Sequence, residues 1–438
     1  MKNKFLIPLI LIFLLIPVYT FAVEVSPYPL FTLAKDPRAL GMAGAMTALG
    51  DSPTSAIFNP ALMGEYNAFS LKAGLGFWPV DEKNWNNFNK IIEYIDIIGQ
   101  QEPPNDEVYA QGLLTGYANL GIGRLGLTLW GDADLDIGYY KYTNLNPNPE
   151  NPEDDVVNLN VYFNTIVDAN GAITLGLPII NLRNVKFNIG ANLRVNAVVY
   201  TSQYVVSNVN LAGLYYSDTY SAPAYGVNYE GYTANNYIEN ENITGNISNW
   251  AIDLGAYLKL SENFALGISA QNVYAKWLGG EYSKQHEEGY FVPIYSGDYL
   301  SGIDKKDYPE GSFSEEGLIS PEEIEAELGI PPLSLKAGAM LKIPTLNTRI
   351  AFDADLDNNF QPTLYRLGIE QPLLFFVVRG GAMLDTNFQP LYYTIGAGLN
   401  LLILRVDAGL GYVAQGSIVE TIQNTMPIVA SLSGSIQF

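Results

Sequence analysis

The chain has 438 residues, with 23 basic side chains against 45 acidic ones, a single histidine and no cysteine. A net charge of −22 repels polyanions and speaks against nucleic-acid binding, and the missing cysteine removes disulfides, thiolate catalysis and Cys-based metal sites. The length suits one large barrel or two ordinary domains.

Residues 1–22 read as a signal peptide. Lys2 and Lys4 supply the positive start, Phe5 to Val18 the apolar core, and Thr20-Phe21-Ala22 a cleavage site. Beyond it, no stretch approaches the ~18 to 20 consecutive apolar residues of a membrane helix. The segment 23–66 reads as a plug. Its central stretch, Asp36 to Leu62, is too polar and Gly-rich for a membrane span and does not alternate like a strand. Asp36 suits a helix cap, Pro37 a first helical position, and Asn59-Pro60 forces a break.

From 67 to 438 the chain alternates apolar and polar residues with a period of two. Strands are expected at Phe69–Trp78, Tyr109–Leu120, Arg124–Tyr139, Val157–Leu177 and Val185–Thr201. The second half gives Trp250–Leu260, Phe264–Trp277, Leu333–Ile343, Arg349–Asp357, Leu364–Glu370, Leu374–Asp385, Leu391–Leu401, Leu404–Val413 and Pro427–Phe438. Asn170-Gly171 interrupts the fourth and is read as a bulge, which keeps the number of strands even, at fourteen. Short turns alternate with long loops, as in a transmembrane antiparallel β-barrel of the bacterial outer membrane. A strand of about 12 residues, tilted ~45°, projects to roughly 28 Å, near the thickness of a hydrocarbon core. A β-sandwich needs neither strands of this length nor a terminal aromatic residue. The last strand ends in Phe438, which resembles the C-terminal signal read by the outer-membrane barrel assembly machinery. The expected surroundings are outer-membrane lipid.

Gly41-Met42-Ala43-Gly44-Ala45, Asp51 and Asn59-Pro60-Ala61-Leu62 together resemble the N-terminal signature of the FadL/TodX outer-membrane transport family. PorV and F-plasmid TraF-like barrels carry a similar signature. Leu266 to Val273 and Arg366 to Glu370 resemble later pieces. The resemblance implies a fourteen-stranded barrel plugged by its N-terminus, with Gly41, Gly44, Asp51, Asn59, Pro60 and Ala61 as the plug motif. In transport members, hydrophobic molecules such as fatty acids or hydrocarbons enter from outside and leave sideways through a strand kink.

Independently, the inward faces of the last three strands and the first are small. Gly74, Gly76, Gly396, Gly398, Gly409 and Gly411 are expected to form the wall against which the plug lies. Relief of crowding in a tilted wall would use the same residues.

Asp-Ala-Asp-Leu-Asp occurs twice, giving Asp132, Asp134, Asp136 and Asp353, Asp355, Asp357 on inward faces. A divalent-cation site is one reading; a salt-bridged interior is the stronger, because inward acidic and basic residues balance. The excess negative charge falls in loops, with thirteen acidic residues between Gly280 and Leu328, read as a solvated lid. The stretch Asn84 to Ile98 reads as an amphipathic helix. Trp85, Phe88, Ile92 and Ile95 on one face could line an entrance groove for an apolar ligand, or pack on the barrel rim. Nothing positions a base beside a nucleophile, so neither an enzyme nor a cofactor is expected. Three functions remain open: transport of hydrophobic small molecules, a PorV-like or TraF-like barrel serving secretion or envelope assembly, and a general porin or structural envelope protein.

Overall fold

The computed structural model describes residues 30, 32–50, 54–78, 82–97, 106–144, 156–210, 224–233, 249–277, 281–296, 299–307, 332–425 and 427–438; for several stretches near the long loops only the backbone is described. The signal-peptide residues 1–22, Asp51 and residues 308–328 of the acidic loop lie outside them, whereas 281–296 and 299–307 of that stretch, read as a lid, are strand.

The strands are β1 (Phe69–Trp78), β2 (Glu107–Ile122), β3 (Leu125–Asn144), β4 (Val156–Asn181), β5 (Lys186–Asn210), β6 (Ala224–Thr233), β7 (Asn249–Ser261), β8 (Phe264–Trp277) and β9 (Glu281–Ser296). Then come β10 (Tyr299–Asp307), β11 (Ser334–Ile343), β12 (Thr348–Leu356), β13 (Pro362–Leu373), β14 (Phe376–Leu384), β15 (Pro390–Leu401), β16 (Leu404–Val413) and β17 (Val429–Gln437). Fourteen of them close into an antiparallel ring. Each pairs with the next, except that β5 skips to β7 and β8 skips to β11, and β17 pairs back onto β1. The other three, β6, β9 and β10, extend the sheet beyond the ring from the loop-end half of β5. His286 lies in β9, not in an open loop.

Closure explains the alternation. One parity faces out and carries exposed Leu71, Leu75, Leu127, Leu193, Ile268 and Leu432; the other faces in and is largely buried. A continuous exposed apolar band around a closed ring is the surface of a membrane barrel.

Two details of the pairing differ from the sequence reading. The register runs unbroken through Asn170 and Gly171, so no bulge occurs there; β4 slips instead between Pro178 and Ile180. The larger irregularity is in β8. Ile252 faces Tyr274 but Leu254 faces Ala270, so β8 carries two extra residues. Asn272 sits there in the left-handed region, at φ 58.

Candidate functional site

The N-terminal segment lies within the ring. Its first helix, Pro37–Gly41, starts at Asp36, whose side chain accepts from the Arg38 N–H. A second helix spans Ser55–Phe58, and a 3-10 turn follows at Pro60–Glu65. Asn59 caps that turn by accepting from Ala61 N, while its amide donates to the carbonyls of Thr47 and Ala256. Thus Asn59 joins both halves of the segment to β7. Almost all of the segment's described residues from Leu33 to Gly64 are buried.

Glycines make this approach close. A Cβ on Gly190 of β5 would lie 2.3 Å from the Pro60 carbonyl carbon, and one on Gly176 of β4 would lie 2.2 Å from Gly64 N. Gly41 and Gly396 face each other, each Cβ position 3.0 Å from the other's Cα. Gly76 meets Ala34, Gly409 meets Pro37 and Gly411 meets Leu30. The nearest side chains to Gly74 are those of Tyr117 and Ser433, and the nearest to Gly398 those of Asp407 and Arg379. The contact is also wider than four strands, since Gly255 of β7, Gly267 of β8, Gly368 of β13 and Gly381 of β14 meet it too. Gly44 takes φ +80, a conformation L side chains rarely adopt.

Charge anchors the first half. Lys72 Nζ of β1 reaches both Asp36 oxygens at 2.9 Å, and Thr54 donates to the same carboxylate at 2.5 Å. Arg38 donates to both oxygens of Glu370, at 2.9 and 3.0 Å. Glu370 also accepts from Arg349 at 3.0 Å and from Arg379 at 2.8 Å. Arg379 Nη1 lies 2.9 Å from Asp407 Oδ1.

Of the two aspartate triplets, Asp132 and Asp353 contact the segment. Asp353 accepts from Met46 N at 2.9 Å and Thr47 N at 2.8 Å. Asp355 pairs with Arg366 at 2.6 Å, and Asp357 caps its own turn through Asn359 N and Gln361 N. Asp132 pairs with Lys35. Asp134 is exposed, and the side chain of Asp136 lies outside the description. Among the described residues, no cluster of metal-ligating side chains is present.

A cavity of ≈ 250 Å³ remains beside the segment. Leu33, Ile57 and Phe58 of the segment border it, as do Trp130, Asn170, Asn196 and Arg194 from β3 to β5. Gln271, in the β8 bulge, also lines it and donates to the Ile57 carbonyl at 2.8 Å. Its lining mixes polar and apolar groups, unlike the apolar chamber expected of a hydrocarbon channel.

The helix Glu82–Ile97 packs on the outward face of β2 and β3, over Val108, Ala110, Ile137 and Tyr139. Asn84 exchanges hydrogen bonds with Gln111, and Asn87 donates to the Tyr109 carbonyl. Its packed face therefore carries Phe88, Ile91 and Tyr94, with Ile91 fully buried. Trp85 and Ile92 point away from the barrel, 63% and 42% exposed, and the Ile95 side chain is not described. Of the four residues read on one face, Phe88 packs against the barrel, in line with the rim-packing alternative, while Trp85 and Ile92 are exposed.

The closed ring and its apolar outer band define a membrane β-barrel of the outer-membrane type, with the N-terminal segment in its lumen. No family model and no curated protein matches the sequence. Among solved structures, it is similar to the CymD monoaromatic hydrocarbon channel at 14% identity and TM-score 0.43, with 92% of this chain and 97% of that one covered. The Ralstonia pickettii toluene transporter TbuX is similar at 12% identity and TM-score 0.45, covering 93% and 100%. A Pseudomonas aeruginosa FadL homologue is similar at 11% and 0.42, covering 92% and 98%. These likenesses extend over the whole barrel and leave the function to be argued from this chain's own residues.

Proposed function

We propose that this chain is an outer-membrane barrel that passes small hydrophobic molecules sideways out of a lumen closed by its own N-terminal plug. The observation that carries the reading is the β8 bulge at the edge of the cavity. A molecule in that cavity has the segment filling the lumen beside it, and the β7–β8 ladder is interrupted in the described wall next to it. CymD, a monoaromatic hydrocarbon channel, and TbuX, a toluene transporter, take cargo of this class. In this reading 23–66 is the plug domain, Phe438 is read by the assembly machinery, and the chain has no catalytic role.

The test is hydrocarbon uptake by vesicles containing the folded mature barrel. Deleting Asn272 and Val273 restores a regular β8 register and is expected to lower uptake at least about tenfold, with the barrel still folded. Unchanged uptake by that variant would rule out the bulge as the exit.

The mixed lining of the cavity favours a second reading, in which the barrel serves secretion or envelope assembly and needs no apolar chamber. That reading gains if the native protein, released from gentle detergent for mass spectrometry, carries no hydrophobic molecule and takes up no added toluene or long-chain fatty acid.

A further inference from the structure

The barrel is uneven in height. β4 and β5 have 26 and 25 residues, whereas β12, β14 and β17 have 9 and β16 has 10. At ~3.4 Å per residue and ~40° of tilt, nine residues project to roughly 23 Å. That falls short of the apolar band of about 25 Å that an outer-membrane barrel presents, and further short of a ~30 Å hydrocarbon core.

Two turns on this short arc are apolar at their tips. The β13–β14 hairpin turns through Leu374-Phe375, and the β15–β16 hairpin through Leu402-Ile403. Leu374 is 96% exposed and Leu402 fully exposed. Both take positive φ, 56 and 52. Elsewhere at the same end of the ring, that backbone conformation falls to residues that tolerate it: Gly123 between β2 and β3, and Asn347 between β11 and β12. A leucine there adopts a disfavoured conformation and holds its side chain where no protein atom covers it.

We propose that these two hairpin tips belong to the lipid-contacting surface and lie in the hydrocarbon of the leaflet at the turn end, making up the height that the short strands lack. Two observations select lipid as the occupant. The tips continue the exposed outward face of Phe376, Val378 and Leu404 without a break. Phe375 O accepts from Asn400 N at 2.7 Å and Ile403 O from Gln437 N at 2.9 Å, so immersion strands neither of these two carbonyls. An added turn at each tip lengthens the apolar face by roughly 4 to 5 Å, enough to close the deficit against the band.

The inference rests on the membrane reading above, and the test separates the two. The chain has no cysteine, so single substitutions label cleanly. Leu374→Cys, Leu402→Cys, Leu75→Cys in the outward band and Thr345→Cys in the β11–β12 turn are spin-labelled in the full mature barrel, reconstituted in phosphatidylcholine vesicles. Collision with oxygen and with a water-soluble nickel chelate is then compared. Labels at 374 and 402 are expected to match the label at 75, colliding several-fold more with oxygen than with nickel, while the label at 345 shows the reverse. If 374 and 402 match 345 while 75 stays in lipid, the inference is overturned and the membrane reading stands. Shielding of 374 and 402 from both reagents overturns it too, because a protein surface then covers the tips. An aqueous label at 75 ends both. If a tip variant fails to fold, Phe375→Cys and Ile403→Cys report on the same tips with the same expected result.

Discussion

The two halves of the N-terminal segment are held against the barrel in different ways. Residues 34–47 lie against β11 to β17 and β1 through buried charge: Asp36 with Lys72, Arg38 with Glu370, and the Met46 and Thr47 N–H groups with Asp353. Residues 59–65 lie against β4, β5 and β7 mainly through backbone meeting glycine, with Glu65 to Lys186 as a part-exposed pair at 3.1 Å. A buried pair is costly to break, because its abandoned partner stays charged in a poor solvent. A backbone-on-glycine contact carries no such penalty, but it tolerates no added volume. Glycine contacts serve both halves, since Gly76 meets Ala34 and Gly267 meets Thr47, so the first half is sensitive both to removing charge and to adding a methyl group, and the second mainly to the latter.

The sharpest way to break the contrast is at Glu370. Glu370→Gln leaves Arg38, Arg349 and Arg379 around a neutral amide, and destabilisation of about 3 to 5 kcal/mol is expected in urea unfolding of the detergent-solubilised barrel. The same variant should become open to trypsin after Arg38, which is 1% exposed in the intact protein. Next comes Gly190→Ala, whose methyl group meets the Pro60 backbone. Overpacking of about 1 to 3 kcal/mol is expected, with Arg38 still protected from trypsin. Asn59→Ala removes the cap and both carbonyl contacts, and a loss of about 1 to 2 kcal/mol is expected in the same unfolding assay. The smallest effect is Glu65→Gln, below about 1 kcal/mol, because Lys186 is partly solvated. A larger loss at Glu65 than at Glu370 would reverse the comparison.

The strands were legible because each repeats a local period: from Phe69 to Phe77, odd residues face lipid and even ones face the lumen, and one window suffices to see it. The lumen was only half legible. Small residues on the last strands pointed to a close neighbour, but Gly176, Gly190, Gly255 and Gly267 carry the same signal on strands where it was not read. The role of Asp353 was not legible, between a salt-bridged interior and the weaker cation reading, because its partners, Met46 N and Thr47 N, lie some 306 residues away in sequence and are backbone groups that no side-chain pattern reveals. The β8 bulge had a local signal that went unread: Asn272, a residue type tolerant of positive φ, stands where the inward-outward alternation breaks. Asn170-Gly171 carries a similar composition, yet neighbours on both sides keep it in register.

The account's central claim is that residues 30–66 close the lumen of a complete ring. The most direct measurement is conductance in planar bilayers, comparing the mature barrel with a form lacking residues 30–66 and with Glu370→Gln. The intact protein is expected to conduct little, the shortened form to give large, stable steps, and Glu370→Gln to flicker between the two. Equal conductance of the intact and shortened forms would contradict the claim.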